Sequence, residues 1–161
     1  MNAIKMLKQQ HREVEKLFKQ FEAAKSAGPR EKTFYEIADA LAVHATIEER
    51  HFYPGVKAAQ TEEILLESVE EHLEIKRVIA DLLDMDAGDE EFEAKMKVLQ
   101  ENVEHHVEEE EGELFPKVEK LVDGETLEAI GAEMEATQDE LKREGNPRDA
   151  IPGETDAAAP L

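Results

Sequence analysis

The chain has no cysteine, fewer than half as many basic as acidic residues, and no long apolar run. Without cysteine there are no disulfides, thiolate metal sites or cysteine nucleophiles, so any metal must be held by His, carboxylate or Tyr. With 40 acidic against 19 basic residues the net charge is −21. Such a surface repels a phosphate backbone or an anionic bilayer, both of which are bound mainly through Lys and Arg, so nucleic acid and membrane partners are not expected. No stretch approaches the roughly 18 apolar residues of a membrane span, and the start, MNAIKMLKQQH, lacks the apolar stretch of a signal peptide. A soluble cytoplasmic protein is expected. Sustained strand-like alternation is also absent, which removes half-buried β-strands from consideration.

What remains is apolar periodicity at helical spacing along most of 161 residues, 40% of them hydrophobic, enough for one compact all-α domain with its own core. Turn signals divide the chain. Ala27-Gly28-Pro29 ends a first helix, Pro54-Gly55 breaks a second, Asp86 to Asp89 separates a third from a fourth with Asp89 as N-cap, and Pro116 and Asp123-Gly124 interrupt the C-terminal third. The predicted helices are 3–26, 31–53, 62–85 and 90–115, with a shorter one at 125–143 that carries Leu127, Ile130, Met134 and Leu141 on one face. Short loops between long amphipathic helices favour an up-down-up-down antiparallel four-helix bundle. The expected organisation is a bundle domain at 1–122, an additional C-terminal helix within 123–144, and a disordered tail at 145–161, where Pro, Gly, Ala and charge mix without periodicity.

The chain repeats itself. A shift of 61 lays QHREVEKLFKQF over EHLEIKRVIADL and matches His11 to His72; a shift of 62 matches His44 to His106, Glu48 to Glu110, Glu49 to Glu111 and Pro54 to Pro116. Helices one and two are echoed by three and four, so two hairpins related by an approximate twofold are expected to build two similar half-sites.

Steps of three and four place one histidine of each long helix in its apolar seam. The seams read Ile4, Leu7, His11, Val14, Phe18, Phe21; then Phe34, Ile37, Leu41, His44, Glu48, His51; then Leu65, Ser68, His72, Ile75, Ile79, Leu82; then Phe92, Met96, Leu99, Val103, His106, Glu110, Glu113. A lone inward histidine is usually a hydrogen-bonded core residue. Four together, with Glu48 and Glu110 inward and no equally inward Lys or Arg as partner, call for positive charge from elsewhere. One or two dications meet that need, because His at i and Glu at i+4 put two donors on one face of a straight helix. Mixed N/O ligation without sulfur fits iron, with manganese and zinc as alternatives.

The set His11, His44-x-x-x-Glu48, His72, His106-x-x-x-Glu110, with EERHFYP and EEEGELFP closing the even helices, resembles the bacterial hemerythrin-like proteins that carry the HHE cation-binding domain. The resemblance covers about residues 1 to 122. It implies a non-heme centre of two iron ions, one on His11 and His44, the other on His72 and His106, with Glu48 and Glu110 bridging both, and an oxygen-derived (oxo or hydroxo) bridge when oxidised. One departure stands out: oxygen-carrying hemerythrins have a fifth histidine one turn after the third-helix His, where this chain has Lys76. Glu15, one turn after His11, could complete the shell or be an exposed carboxylate. His51 and Glu113 are expected beside the ligands or at an entrance, with a surface position as the alternative. Tyr53 could reach the metals only if the helix distorts near Pro54. Lys76 reaches solvent or pairs with Glu71 or Glu15, while His105, Glu49, Glu108, Glu109 and Glu111 are expected on a solvated face.

The resemblance implies a protein that binds or reduces a small oxidant (dioxygen, nitric oxide or peroxide) in stress protection or sensing, with peroxide or nitric oxide consumption as possible enzyme activity. The alternative is an iron- or oxygen-responsive regulatory or interaction module without turnover. A monomer is expected.

Overall fold

A computed structural model describes all of residues Met1–Leu161. The elements are α1 (Ala3–Ala23), α2 (Ala27–Ile47), a π-turn (Glu48–Phe52), α3 (Tyr53–Val56), α4 (Glu62–Leu83), α5 (Glu90–Glu109), a second π-turn (Glu110–Leu114), α6 (Phe115–Leu121), α7 (Gly124–Arg143) and a 3-10 segment (Pro147–Glu154). There is no strand. Hairpins α1/α2 and α4/α5 make the antiparallel four-helix bundle, and α7 docks on α1 and on the first π-turn.

Local chemistry explains the ends. Asn2 Oδ1 accepts from the Ile4 and Lys5 amides, and Asp123 Oδ1 accepts from the Thr126 amide at 2.7 Å, satisfying amides that the first turn leaves free. Ala27-Gly28-Pro29 opens α2 instead of ending α1, because a proline in the first turn lacks only an N–H that would be unpaired there anyway.

Pro54 and Pro116 likewise do not terminate their helices. A proline ring collides with the carbonyl four residues earlier in an α-helix. Here the chain widens by one residue, so that the Tyr53 amide bonds to the Glu48 carbonyl and the Phe115 amide to the Glu110 carbonyl. The helical path then continues into α3 and α6. One inserted residue turns everything beyond it by about 100°. Phe52 and Tyr53 therefore enter the core where the straight seam would have placed His51, and Leu114 enters where it would have placed Glu113.

Two separate apolar clusters fill the bundle. One gathers Leu7, Ile47, Phe52, Tyr53, Leu65, Leu114, Phe115 and the inner face of α7; the other gathers Val14, Phe18, Phe34, Ile37, Leu41, Ile79, Phe92, Leu99 and Ile151. The buried histidines and Glu48 and Glu110 lie along the helices between the residues of these two clusters. Gly131 sets the fit of α7: a Cβ there would collide with the Met1 carbonyl oxygen and lie 3.0 Å from the Ala3 nitrogen, so only glycine allows this approach.

The tail at 145–161 corrects the expectation of disorder. After Gly145, whose φ is 135°, the chain turns back and lays the 3-10 segment across α2 and α4. Its lack of periodicity conceals one buried anchor, Ile151, held by polar latches. The Arg148 guanidinium donates to Asp39 Oδ2 at 2.9 Å and lies 4.3 Å from the Tyr35 ring centre, Arg77 donates to the carbonyls of Thr155 and Asp156, and Lys76 Nζ stands 3.1 Å from Glu154 Oε1.

Candidate metal centre

The structure brings His11, His44, His72, His106, Glu48 and Glu110 together, all buried. They form two groups, His11/His44/Glu110 and Glu48/His72/His106, each with donor atoms within 4.8 Å of one another. Glu48 Oε1 lies 3.1 Å from the Nε2 atoms of His44 and His72 and 3.7 Å from that of His106. Glu110 Oε1 lies 3.1, 3.4 and 3.9 Å from the Nε2 atoms of His11, His106 and His44. Each carboxylate thus faces histidines of both hairpins.

Behind each ring stands an acceptor. Nδ1 of His11 is 2.6 Å from Glu111 Oε2, that of His72 is 2.7 Å from Glu49 Oε2, and that of His106 is 2.7 Å from Glu71 Oε1. His44 Nδ1 is 2.7 Å from Gln10 Oε1, whose amide nitrogen in turn donates to Gln138. Because ionised carboxylates and amide oxygens only accept, Nδ1 carries a proton in every case, so a ring that gives up its other proton presents the Nε2 lone pair inward. These four outer partners escape the sequence reading, which placed Glu49 and Glu111 on a solvated face. The available signal was the repetition of Glu49 as Glu111 and the match of Gln10 to Glu71 under the two shifts. Arg12 and Lys76 complete the pattern by pairing with Glu111 and Glu49.

The remaining expected residues separate. Tyr53, brought inward by the π-turn, donates its hydroxyl to Glu110 Oε2 at 2.8 Å and lies 3.2 Å from His72 Nε2 and 3.5 Å from His106 Nε2. Its twofold counterpart is Phe115, stacked 6.0 Å from the His11 ring. Lys76 turns away from the Nε2 side and is held by Glu49 and Glu154 at 3.0 and 3.1 Å, not by Glu71 or Glu15. Glu15 pairs with Arg12 on the surface. Glu113 is exposed, and His51 bonds Thr137 on α7 at 2.7 Å; the π-turns rotate both off the seam. His105 is exposed, beside Glu71 and Glu109.

Electrostatics within the bare cluster are tightly balanced. Burial pushes the His44 imidazole down, but the carboxylates of Glu48 and Glu110 outweigh it and raise its pKa to about 9. Burial and the neighbouring Glu110 push Glu48 up, while the charge of His44 and a hydrogen bond from His106 prevail and hold it near 2. Burial together with Glu110 and Glu48 raises the Tyr53 hydroxyl well above its usual value, so it stays protonated.

The donor set fits bound metal ions. His72 and His106 bring their Nε2 atoms to 3.2 Å, close enough for one cation to take both once the rings are neutral. His44 Nε2 and Glu48 Oε2 are buried without a hydrogen-bond partner, which normally marks a missing ligand, since buried polar atoms are otherwise paired. Four imidazole nitrogens and two carboxylates, with the buried Lys76 ammonium held on the Nδ1 side by Glu49, form the donor set of a cage.

Known proteins share this fold and this domain. A hemerythrin HHE cation-binding-domain-containing protein from Mycobacterium kansasii has the same fold, with a TM-score of 0.76 over 94% of this chain and 97% of that one at 23% identity. A protein of Nostoc sp. (strain PCC 7120) named DNA nickase is 25% identical over 143 residues, and the matched region is 89% of this chain but 41% of that protein, so the chain spans about two fifths of that relative's length. The profile of the hemerythrin HHE cation-binding domain matches residues 2–118. Since that match takes in most of the chain and every residue of the cage, the protein belongs to the hemerythrin HHE cation-binding-domain family.

Proposed function

We propose that the cage holds two first-row metal ions, preferably iron, and that the protein binds or reduces a small oxidant such as dioxygen, nitric oxide or peroxide. In this reading His11 and His44 would hold one ion, His72 and His106 the other, and Glu48 and Glu110 would be shared between them. The observation that carries the reading is the convergence of four imidazole Nε2 atoms and two carboxylates beside one small cavity. That cavity, about 30 Å³, is lined by all four histidines, by Gln10 and Lys76, and by apolar residues that include Val14, Leu41, Ile79, Val103 and Ile151. It has room for a molecule the size of water or a diatomic gas and little else. Manganese or zinc would fit the same donors less specifically.

When bound, such an ion pair supplies electrons to a small ligand and stabilises the charge that develops on it. The chain's own residues do the rest. Glu111, Gln10, Glu49 and Glu71 fix ring orientation and tautomer, the apolar seam excludes bulk water, and Tyr53 holds a proton on its hydroxyl within reach of Glu110 and the His72/His106 half-site. Tyr53, not Lys76, is the extra polar group on the Nε2 side, where the family's oxygen carriers use a fifth histidine.

Nucleic acid stays outside the proposal despite the name of the Nostoc relative. A charge of −21 opposes phosphate binding, and a gel shift with duplex DNA at low salt is expected to be negative. The test of the proposal is metal analysis and an optical spectrum on protein from iron-replete cells, with rapid mixing of the reduced form with dioxygen, nitric oxide and peroxide as the second step. Two ions per chain and fast reaction with one oxidant are expected. One ion or none would overturn it, and an inert pair with a large metal-dependent structural change would favour a regulatory module.

A further inference from the structure

We propose that the segment 146–156 is a lid over the cavity, with Ile151 as its plug, and that it sets the size of ligand that reaches the histidine cage. The inference rests on the small-ligand reading above. Its geometry is independent of that reading.

The cavity walls come from α1, α2, α4 and α5, and the one lining residue from outside them is Ile151. The strap packs against both α2 and α4, which make few direct backbone contacts with each other. It therefore spans α2 and α4 on the side where Ile151 reaches the cavity. Ile151 is 2% exposed, and it is the only buried residue of 145–161. Ile151 is the one buried apolar side chain of the strap, Ala158, Ala159 and Leu161 just beyond it pack half-buried on the other core cluster, and the strap's own remaining fastenings lie at the rim. They are the bonds from the Arg148 guanidinium and backbone amide to the two oxygens of Asp39 with the guanidinium over Tyr35, the Arg77 bonds to two strap carbonyls, and the Lys76–Glu154 pair.

Lifting such a segment exposes little apolar surface and trades partly exposed polar contacts for water, the profile of a region that opens locally without unfolding the domain. Gly145, at φ 135° where the strap leaves α7, supplies the turn about which it swings. The bundle itself can stay closed. Lys76 links the lid to the cage, since its ammonium holds Glu154 of the strap and Glu49, which holds His72.

Two substitutions test the lid on metal-loaded protein. Ile151→Ala shortens the plug, and Arg148→Ala releases a latch without removing a buried apolar group; Ile151→Val serves as the conservative control. The first readout is the rate at which a bulky ferrous chelator strips iron, which requires access but no oxidant chemistry. The second is the association rate of azide with the oxidised protein. Both rates are expected to rise at least ~10-fold in the two opening variants and to stay near wild type in Ile151→Val. Unchanged stripping and azide rates in folded Arg148→Ala and Ile151→Ala protein would overturn the lid. Faster stripping with no azide binding to any form would leave the lid standing and instead remove the small-oxidant reading.

Discussion

Glu71→Gln is the most informative single change in the cage, because the chain already contains its own control. Under the internal twofold, Glu71 behind His106 corresponds to Gln10 behind His44. Both accept from Nδ1 at 2.7 Å, so the variant keeps the hydrogen bond and the tautomer and removes only the negative charge. Adding that distance to the width of the ring and a metal–nitrogen bond of ~2.1 Å puts the carboxylate roughly 7 Å from an ion on His106. One net positive charge left on the ion after Glu48 and Glu110 are counted then interacts with Glu71 by about 2 kcal/mol at an effective dielectric of ~20. The expected loss is about 10- to 100-fold in affinity for one of the two ions, in line with other ring-orienting carboxylates. The wild-type His72/His106 half-site, backed by Glu49 and Glu71, should fill before the His11/His44 half-site, and the swap Gln10→Glu with Glu71→Gln should reverse the order. Anaerobic calorimetric titration with ferrous or cobaltous ion reads both constants. Two equal constants in the wild type, or constants that move less than threefold in Glu71→Gln, would refute the reasoning.

The same geometry sets other outcomes. Glu48→Ala or Glu110→Ala should lose both ions together, since each carboxylate faces histidines of both half-sites, and metal analysis finding two ions in either variant would contradict the bridging roles. In metal-free protein, His44 is raised from 6.5 to about 9, so its stabilising charge is fully present below about pH 6.5 and is lost as pH rises through 9. Chemical denaturation should therefore show metal-free stability falling between these values. Metal affinity should rise over the same interval because ligation needs the neutral ring, and parallel trends would contradict the assignment. Gly131→Ala, whose Cβ meets the backbone of Met1 and Ala3, should lower stability by about 1–3 kcal/mol and loosen α7; an unchanged melting temperature would show that the N-terminus yields freely. Removing the metals altogether should lower the melting temperature, since the cage exists only in the folded chain, and equal melting of both forms would count against it.

The sequence by itself determined the helices and the inward histidines, because a helix repeats locally: residues three and four apart share a face whatever surrounds them. That rule alone lines up His11, His44, Glu48, His72, His106 and Glu110 with the apolar seams, and the internal repeat pairs them into halves. It fails wherever the answer lies on another helix or in a change of pitch. Glu49 meets His72 across 23 positions and Glu111 meets His11 across 100, so whether such glutamates face water or a ring depends on how the helices are rotated against each other, which no local spacing encodes. The π-turns are the second case. The prolines announce a disturbance, yet only packing decides between a break and a widened turn, and the widened turn puts Tyr53 beside His72 while taking His51 and Glu113 off the seam. The strap is the third, since a single buried side chain, Ile151, has no period to detect, and its place over the cavity arises only once α2 and α4 stand side by side with a gap to cover.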